Sequence, residues 1–156
     1  MNQSWSIRPE LVLPFAWPRS PRISRASLNL NQEMRTLWEQ HDVWTRLTIE
    51  SIVFRLPDER SVIRRLLRNP EDFADALRPF YGRRLSAQFA RLLTEHLTIA
   101  AELVRAAQAG RADRVADAER RWFRNAREIA AFFAQINPFW SEERWRGIVR
   151  QFPRRF

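Results

Sequence analysis

The sequence predicts an all-α protein, an antiparallel helical bundle of three long helices and three short ones. Three observations carry that expectation. Apolar residues recur in alternating steps of three and four, which places them on one face of an α-helix. Only three glycines occur in 156 residues, and no stretch alternates apolar with polar residues as a half-buried strand does. Asn, Asp, Ser, Pro and Gly stand between the periodic stretches, where helices begin and end.

Residues 1–28 contain Pro9, Pro14, Pro18 and Pro21 with Trp5 and Trp17. Proline fixes φ and removes a donor, so this part reads as an irregular arm preceding a bundle domain at 29–156. Asn29 with Gln32 resembles a capping box that opens the first long helix, expected to run to about Phe54. Its inward stripe is Leu30, Met34, Leu37, His41, Trp44 and Thr48. A short helix over 58–68 follows, with Asp58 as N-cap and Val62, Ile63, Leu66 and Leu67 facing inward. Asn69-Pro70-Glu71-Asp72 reads as a second start: an N-cap, a proline at the first position, then two acids at the positive end of the dipole. That helix is expected to pack Phe73, Ala76, Leu77 and Phe80 and to end near Gly82.

The central helix is expected from about Arg83 to Ala109, with Gly110 as its C′ residue. Its stripe is Leu85, Phe89, Leu92, His96, Ile99, Leu103 and Ala106. The next helix spans about Asp113 to Ile136, burying Val115, Ala118, Trp122, Ile129, Phe133 and Ile136, and Pro138 stops it. Ser141 caps a last short helix with Trp145, Ile148, Val149 and Phe152 on one side.

Composition excludes several classes of function. With no cysteine there is no disulfide, thiolate metal site or cysteine nucleophile. The net charge of +9 is concentrated at the ends: four arginines against Glu10 in 1–28, and five against Glu142 and Glu143 in 141–156. The middle of the chain is nearly balanced, which argues against a nucleic-acid interface despite the high isoelectric point. Every basic residue is arginine. Nothing approaches the ~20 consecutive apolar residues of a membrane span, and Leu11–Trp17 lacks the features of a signal peptide, so the expected location is cytoplasmic.

The two stripes differ from ordinary cores in one respect. Each carries a single histidine at its middle, and His41 and His96 are the only two in the chain. Mid-helix positions of antiparallel neighbours meet, so the two imidazoles are expected to share one interhelical seam. Glu95, Arg46 and Asn125 are the candidate ligand-holding neighbours, and Trp38, Trp44 and Trp122 the candidate walls; Asp42, Glu50, Glu119 and Glu128 are further polar neighbours. One reading is a metal or small-ligand site in the bundle core, where imidazole is a common ligand. The other is a hydrogen-bonded polar pair that only fixes helix register. No Glu-x-x-His occurs, which counts against a ferritin-like di-iron centre, and no catalytic residue is assigned.

Several segments, in order, resemble a family of small bacterial all-helical proteins of unassigned function. They are Leu37-Trp38-Glu39-Gln40-His41-Asp42-Val43-Trp44-Thr45-Arg46, Arg65-Leu66-Leu67-Arg68-Asn69-Pro70, Arg78-Pro79-Phe80-Tyr81-Gly82, Leu93-Thr94-Glu95-His96-Leu97, Trp122-Phe123-Arg124-Asn125-Ala126 and Ile136-Asn137-Pro138-Phe139-Trp140. The resemblance covers about 27–145 and marks His41, Trp44, Thr45, Arg46, Glu95, His96, Trp122 and Asn125. Some members carry an acetylglutamate-kinase label, an activity that requires a glycine-rich phosphate cradle and α/β alternation absent from this sequence. The resemblance further implies a last long helix that is missing here, where Trp145 runs almost directly into the family-like ending Gly147–Phe156.

Three function classes are therefore expected, in order. The first is a binding or structural module with an optional metal or small ligand. The second is a metal-dependent enzyme. The third is a basic membrane-surface or nucleic-acid binder. A short terminal helix cannot cover a seam between long ones, so self-association through an exposed apolar face is also expected.

Overall fold

The structure, a computed structural model, describes residues 24–137. The described residues are all-α, in four helices: α1 (Arg25–Val53), α2 (Glu59–Leu66), α3 (Asn69–Gln108) and α4 (Ala112–Ile136). Among them no helix is long and apolar enough to cross a membrane. Most of the arm and the short helix expected from Ser141 lie outside the described residues.

The described residues hold fewer separate elements than the three long and three short helices expected, because the second short helix and the central helix are joined in α3; one is expected to end and the other to begin at the break between them, Gly82. Its φ of 75° and ψ of 170° belong to a region essentially reserved for glycine. Pro79, three residues earlier, supplies no N–H to the helix ladder. Together they break the helix, and the two parts of α3 fold back on each other, with Phe73 edge-on to Phe89 at 5.9 Å; Phe80 beside the break is 47% exposed, not packed as expected.

Helix starts also differ from the sequence reading. α1 begins four residues before Asn29, capped by Ser24, whose hydroxyl accepts from the Ser27 N–H at 3.1 Å. Asp58 makes no side-chain cap for α2; its carboxylate accepts instead from the Ser51 hydroxyl at 3.0 Å. Asn69 does not cap α3, because its amide is fully buried and bonded elsewhere.

The C-terminal ends of α1 and α3 are both Schellman motifs. After α3, Gly110 takes φ 67°, Arg111 N–H reaches the Ala106 carbonyl at 3.0 Å and Gly110 N–H the Ala107 carbonyl. After α1 the same two bonds run from Leu56 to Ser51 and from Arg55 to Ile52, with Arg55 at φ 55° in glycine's place.

Pairing follows from these turns. α1 runs antiparallel to the first part of α3, since Trp38 meets Phe73 while His41 meets Asn69. α4 runs antiparallel to the second part, where Phe89 meets Phe133, His96 meets Asn125 and Glu102 meets Arg121. An aromatic chain ties the ends of the core together: Trp38 against Phe73, Phe73 edge-on to Phe89, and Phe89 against both Phe132 and Phe133. Leu37, Leu66, Leu77, Leu92, Leu93 and Leu97 fill the space around it. Phe73 and Phe89 are completely buried.

Candidate functional site

The buried polar groups of the core are arranged as two copies of one device. His41 Nδ1 lies 2.9 Å from Asn69 Oδ1, and Asn69 Nδ2 donates to the Leu37 carbonyl at 3.2 Å. His96 Nδ1 lies 2.9 Å from Asn125 Oδ1, and Asn125 Nδ2 donates to the Leu92 carbonyl at 3.1 Å. In both, the carbonyl belongs to the residue one turn before the histidine. Side-chain bonding of that carbonyl leaves its helix intact, because a carbonyl oxygen has two lone pairs.

The chemistry of these bonds fixes the tautomer. An Asn amide facing a carbonyl must present its NH₂, so its oxygen is turned toward the imidazole. An oxygen there can only accept, so each histidine carries its proton on Nδ1 and donates it to Asn. Each Nε2 is left as an acceptor with no hydrogen-bonding partner among the described residues, and neither is among the buried atoms that lack one, so both are open to water.

The duplication extends beyond the relays. A shift of 55 residues carries Leu37, His41 and the αL residue Arg55 onto Leu92, His96 and the αL residue Gly110. A shift of 56 carries the Arg68-Asn69 pair onto Arg124-Asn125, and the buried Phe73, Ala74 and Leu77 onto Ile129, Ala130 and Phe133. Each half is thus a helical hairpin with a histidine on its first arm and an asparagine on its second. The halves differ in that α2 breaks the return arm of the first, whereas α4 is continuous.

Burial lowers the pKa of both histidines, since the charged ring loses hydration; the Asn bonds offset this only in part. His96 is brought down to about 4, with burial the main cause and the charge of His41 the least of them. Each histidine is half-buried, and the ring contacts of the two among the described residues are to Trp38 and Trp122, not to each other.

The remaining candidates separate into two groups. Trp122 stacks on the His96 ring at 4.6 Å, Trp38 meets His41 edge-on at 5.3 Å, and Asn125 is buried in the relay. Trp44 lies under the Arg65 guanidinium at 5.1 Å, which also donates to Gln40. Arg46 does not join the site: its side chain is 80% exposed and bonded to Glu50. Glu95 is half-buried next to His96 in sequence and forms no ion pair among the described residues. Sequence context favours a capping role for Asn69, and its place in the site is legible only in the repeated Arg-Asn.

Three further polar atoms on residues of these helices have no partner among the described residues although they are buried: Thr45 Oγ1, Thr48 Oγ1 and Trp122 Nε1. Thr45 and Thr48 stand one and two turns beyond His41 on the same face, and Thr48 is 4% exposed. Among the described residues no three or more of His, Asp and Glu gather as a metal-binding cluster. A shallow groove bordered by Arg60, Arg64, Arg68 and Arg105 shares no residue with this site. Arg105 there is already bonded to Glu59, and Arg68 lies beside Asp72. No family model, no curated protein and no solved structure matches the chain.

Proposed function

We propose that the chain is a non-catalytic binding module, an antiparallel helical bundle whose paired imidazoles hold a metal or small ligand between its two hairpins. The observation that carries this reading is the relay built twice. Two hairpins repeat the same pair of bonds at equivalent places, and each repeat sets its ring in the same tautomer. Here Asn69 and Asn125 consume one nitrogen of each ring and leave the other as an acceptor, with three unpartnered buried polar atoms on the same helices. The resemblance to the small bacterial helical family fits this reading, as does an exposed apolar stripe on α1 that suits self-association.

Elemental analysis of the purified protein, with thermal-shift screening against divalent metals and small polar molecules, tests it. The expected result is a bound or stabilising ligand whose effect is lost in His41→Gln and His96→Gln. No ligand in either assay, with both variants as stable as the parent, would leave only the register role.

A further inference from the structure

The two hairpins make the same turn with different side chains. α1 and α3 end with matching backbone bonds, and a shift of 55 residues carries Val53, Phe54 and Leu56 onto Gln108, Ala109 and Arg111. The backbone of this turn therefore forms without large apolar side chains. In the first hairpin they are present and turned to water: Phe54 is 70% exposed, and Val53 and Leu56 on either side of it are exposed as well. Three large apolar residues within four positions of a surface turn form a patch that the turn itself does not require. Such a patch, rimmed by charge, marks an interaction surface.

Both turns lie at one end of the bundle. Arg105, in the last turn of α3, bonds Glu59 at the start of α2 at 2.6 Å, so the turn after α3 stands beside the turn after α1. That end is basic. Arg55 and Arg60 flank the apolar residues, and Arg111 and Arg114 come from the neighbouring turn. All four are exposed, and none has an ion-pair partner among the described residues. Of the acids there, Glu59 is taken by Arg105 and the Asp58 carboxylate accepts from the Ser51 hydroxyl, which leaves Asp113. Arg64, also without an ion-pair partner, extends the charge one turn along α2, and Ile63 and Leu67 line the same groove.

We propose that this end of the bundle docks on an anionic lipid surface, with Val53, Phe54 and Leu56 entering the interface and Arg55, Arg60 and Arg111 meeting lipid headgroups. An apolar tip with arginines around it matches the layering of a bilayer, where negative headgroups lie just outside the acyl boundary. No helix among the described residues is long and apolar enough to cross a membrane, so the contact is one of surface and turn. A nucleic acid would take the arginines, but it offers Val53 and Leu56 no apolar phase to enter. A second copy docked end to end would bring Arg55, Arg60 and Arg111 against the same residues of its partner, and like charges oppose that pairing. The proposal does not depend on any ligand at His41 and His96.

The chain has no cysteine, so a single introduced one can carry a dye. Val53→Cys and Leu28→Cys replace exposed residues at opposite ends of α1. Each full chain is labelled with an environment-sensitive fluorophore and mixed with phosphatidylcholine vesicles, with or without phosphatidylserine, that contain brominated acyl chains. The dye at Val53→Cys should be quenched when phosphatidylserine is present, and the dye at Leu28→Cys should not. In vesicle sedimentation, Phe54→Ser/Leu56→Ser and, separately, Arg55→Gln/Arg60→Gln should each weaken binding about tenfold or more. Arg83→Gln/Arg84→Gln removes the same charge beside Gly82, at the other end, and should bind like the parent. All substituted positions are exposed, and the quenching needs no loss-of-binding variant, so the result stands if one of the pairs fails to fold. Equal or greater quenching at Leu28→Cys, an equal loss from both arginine pairs, or no binding to either vesicle overturns the proposal. A sedimentation coefficient that rises with concentration in the parent but not in Phe54→Ser/Leu56→Ser, with no quenching at Val53→Cys, overturns it in favour of a second copy.

Discussion

Asn125 shows how much one side chain can organise. It is 1% exposed, accepts from His96 and donates to the Leu92 carbonyl, so its removal leaves an orphaned imidazole N–H in the core. Asn125→Ala should cost roughly 2–3 kcal/mol in urea denaturation, since a buried polar group without a partner costs about 1–3 kcal/mol. An effect below about 0.5 kcal/mol, the scatter of surface changes, would mean that water replaces the amide readily. The histidines also tie stability to pH. Their folded-state pKa values lie below the ordinary 6.5, with His96 at about 4. Between these values the unfolded chain binds more protons than the folded one. The stabilisation is therefore complete above pH 6.5 and is lost as the pH falls toward 4. For His96 the loss is at most on the order of 3 kcal/mol. Urea midpoints at pH 7.5, 6 and 5 should fall in that order, and His96→Gln should remove most of the slope. A flat profile would contradict the burial of the rings.

At the scale of the element, two backbone positions with positive φ have opposite outcomes. Gly82 holds α3 in its kink, and a Cβ there would meet nothing within 4 Å, so the cost of substitution is conformational. Gly82→Ala should destabilise by about 1–3 kcal/mol, the usual cost of a non-glycine residue in that region. Arg55 occupies the αL position that glycine fills in the second hairpin. Arg55→Gly should therefore stabilise, by about 1 kcal/mol, because the αL penalty for an L-residue exceeds the added flexibility of the unfolded chain. Thermal melts of the two variants should move in opposite directions. If both fall, the Schellman turn after α1 is held by more than its backbone.

At the scale of the molecule, α3 is the shared member: α1 packs on its first part and α4 on its second. Phe89 sits where the two hairpins join, against Phe73, Phe132 and Phe133. Phe89→Ala should cost roughly 3–5 kcal/mol, the range for deleting a buried aromatic ring, and should loosen both hairpins together. Hydrogen exchange checks the second part; loss of protection confined to α4 would show the hairpins to be independent. The outer surface of α1 carries Val43, Leu47 and Phe54 on one helical face, with Phe54 70% exposed. Self-association through that stripe predicts a sedimentation coefficient that rises with concentration and no longer does so in Val43→Ser/Phe54→Ser. A constant monomeric value for the parent would dismiss it.

Features that depend on local spacing were legible in the sequence. The stripes of α1 and α3, the glycine C-cap at Gly110 and the inward placement of both histidines all follow from a repeat of 3.6 residues and from turn chemistry that acts within five residues. Which polar groups meet is a different matter, set by the packing of distant segments. Asn69 lies 28 residues from His41 and Asn125 lies 29 from His96, so their pairing exists only once each hairpin has closed. For Asn69 that closure overrides a local preference: Asn followed by Pro, Glu and Asp favours an N-cap, yet burying the amide with two partners outweighs a cap worth about 1 kcal/mol. Arg46 shows the converse. Its place near the histidine in sequence suggested a ligand, but one extra step along the helix turns its long charged side chain to water and to Glu50, where hydration is kept and nothing must be desolvated.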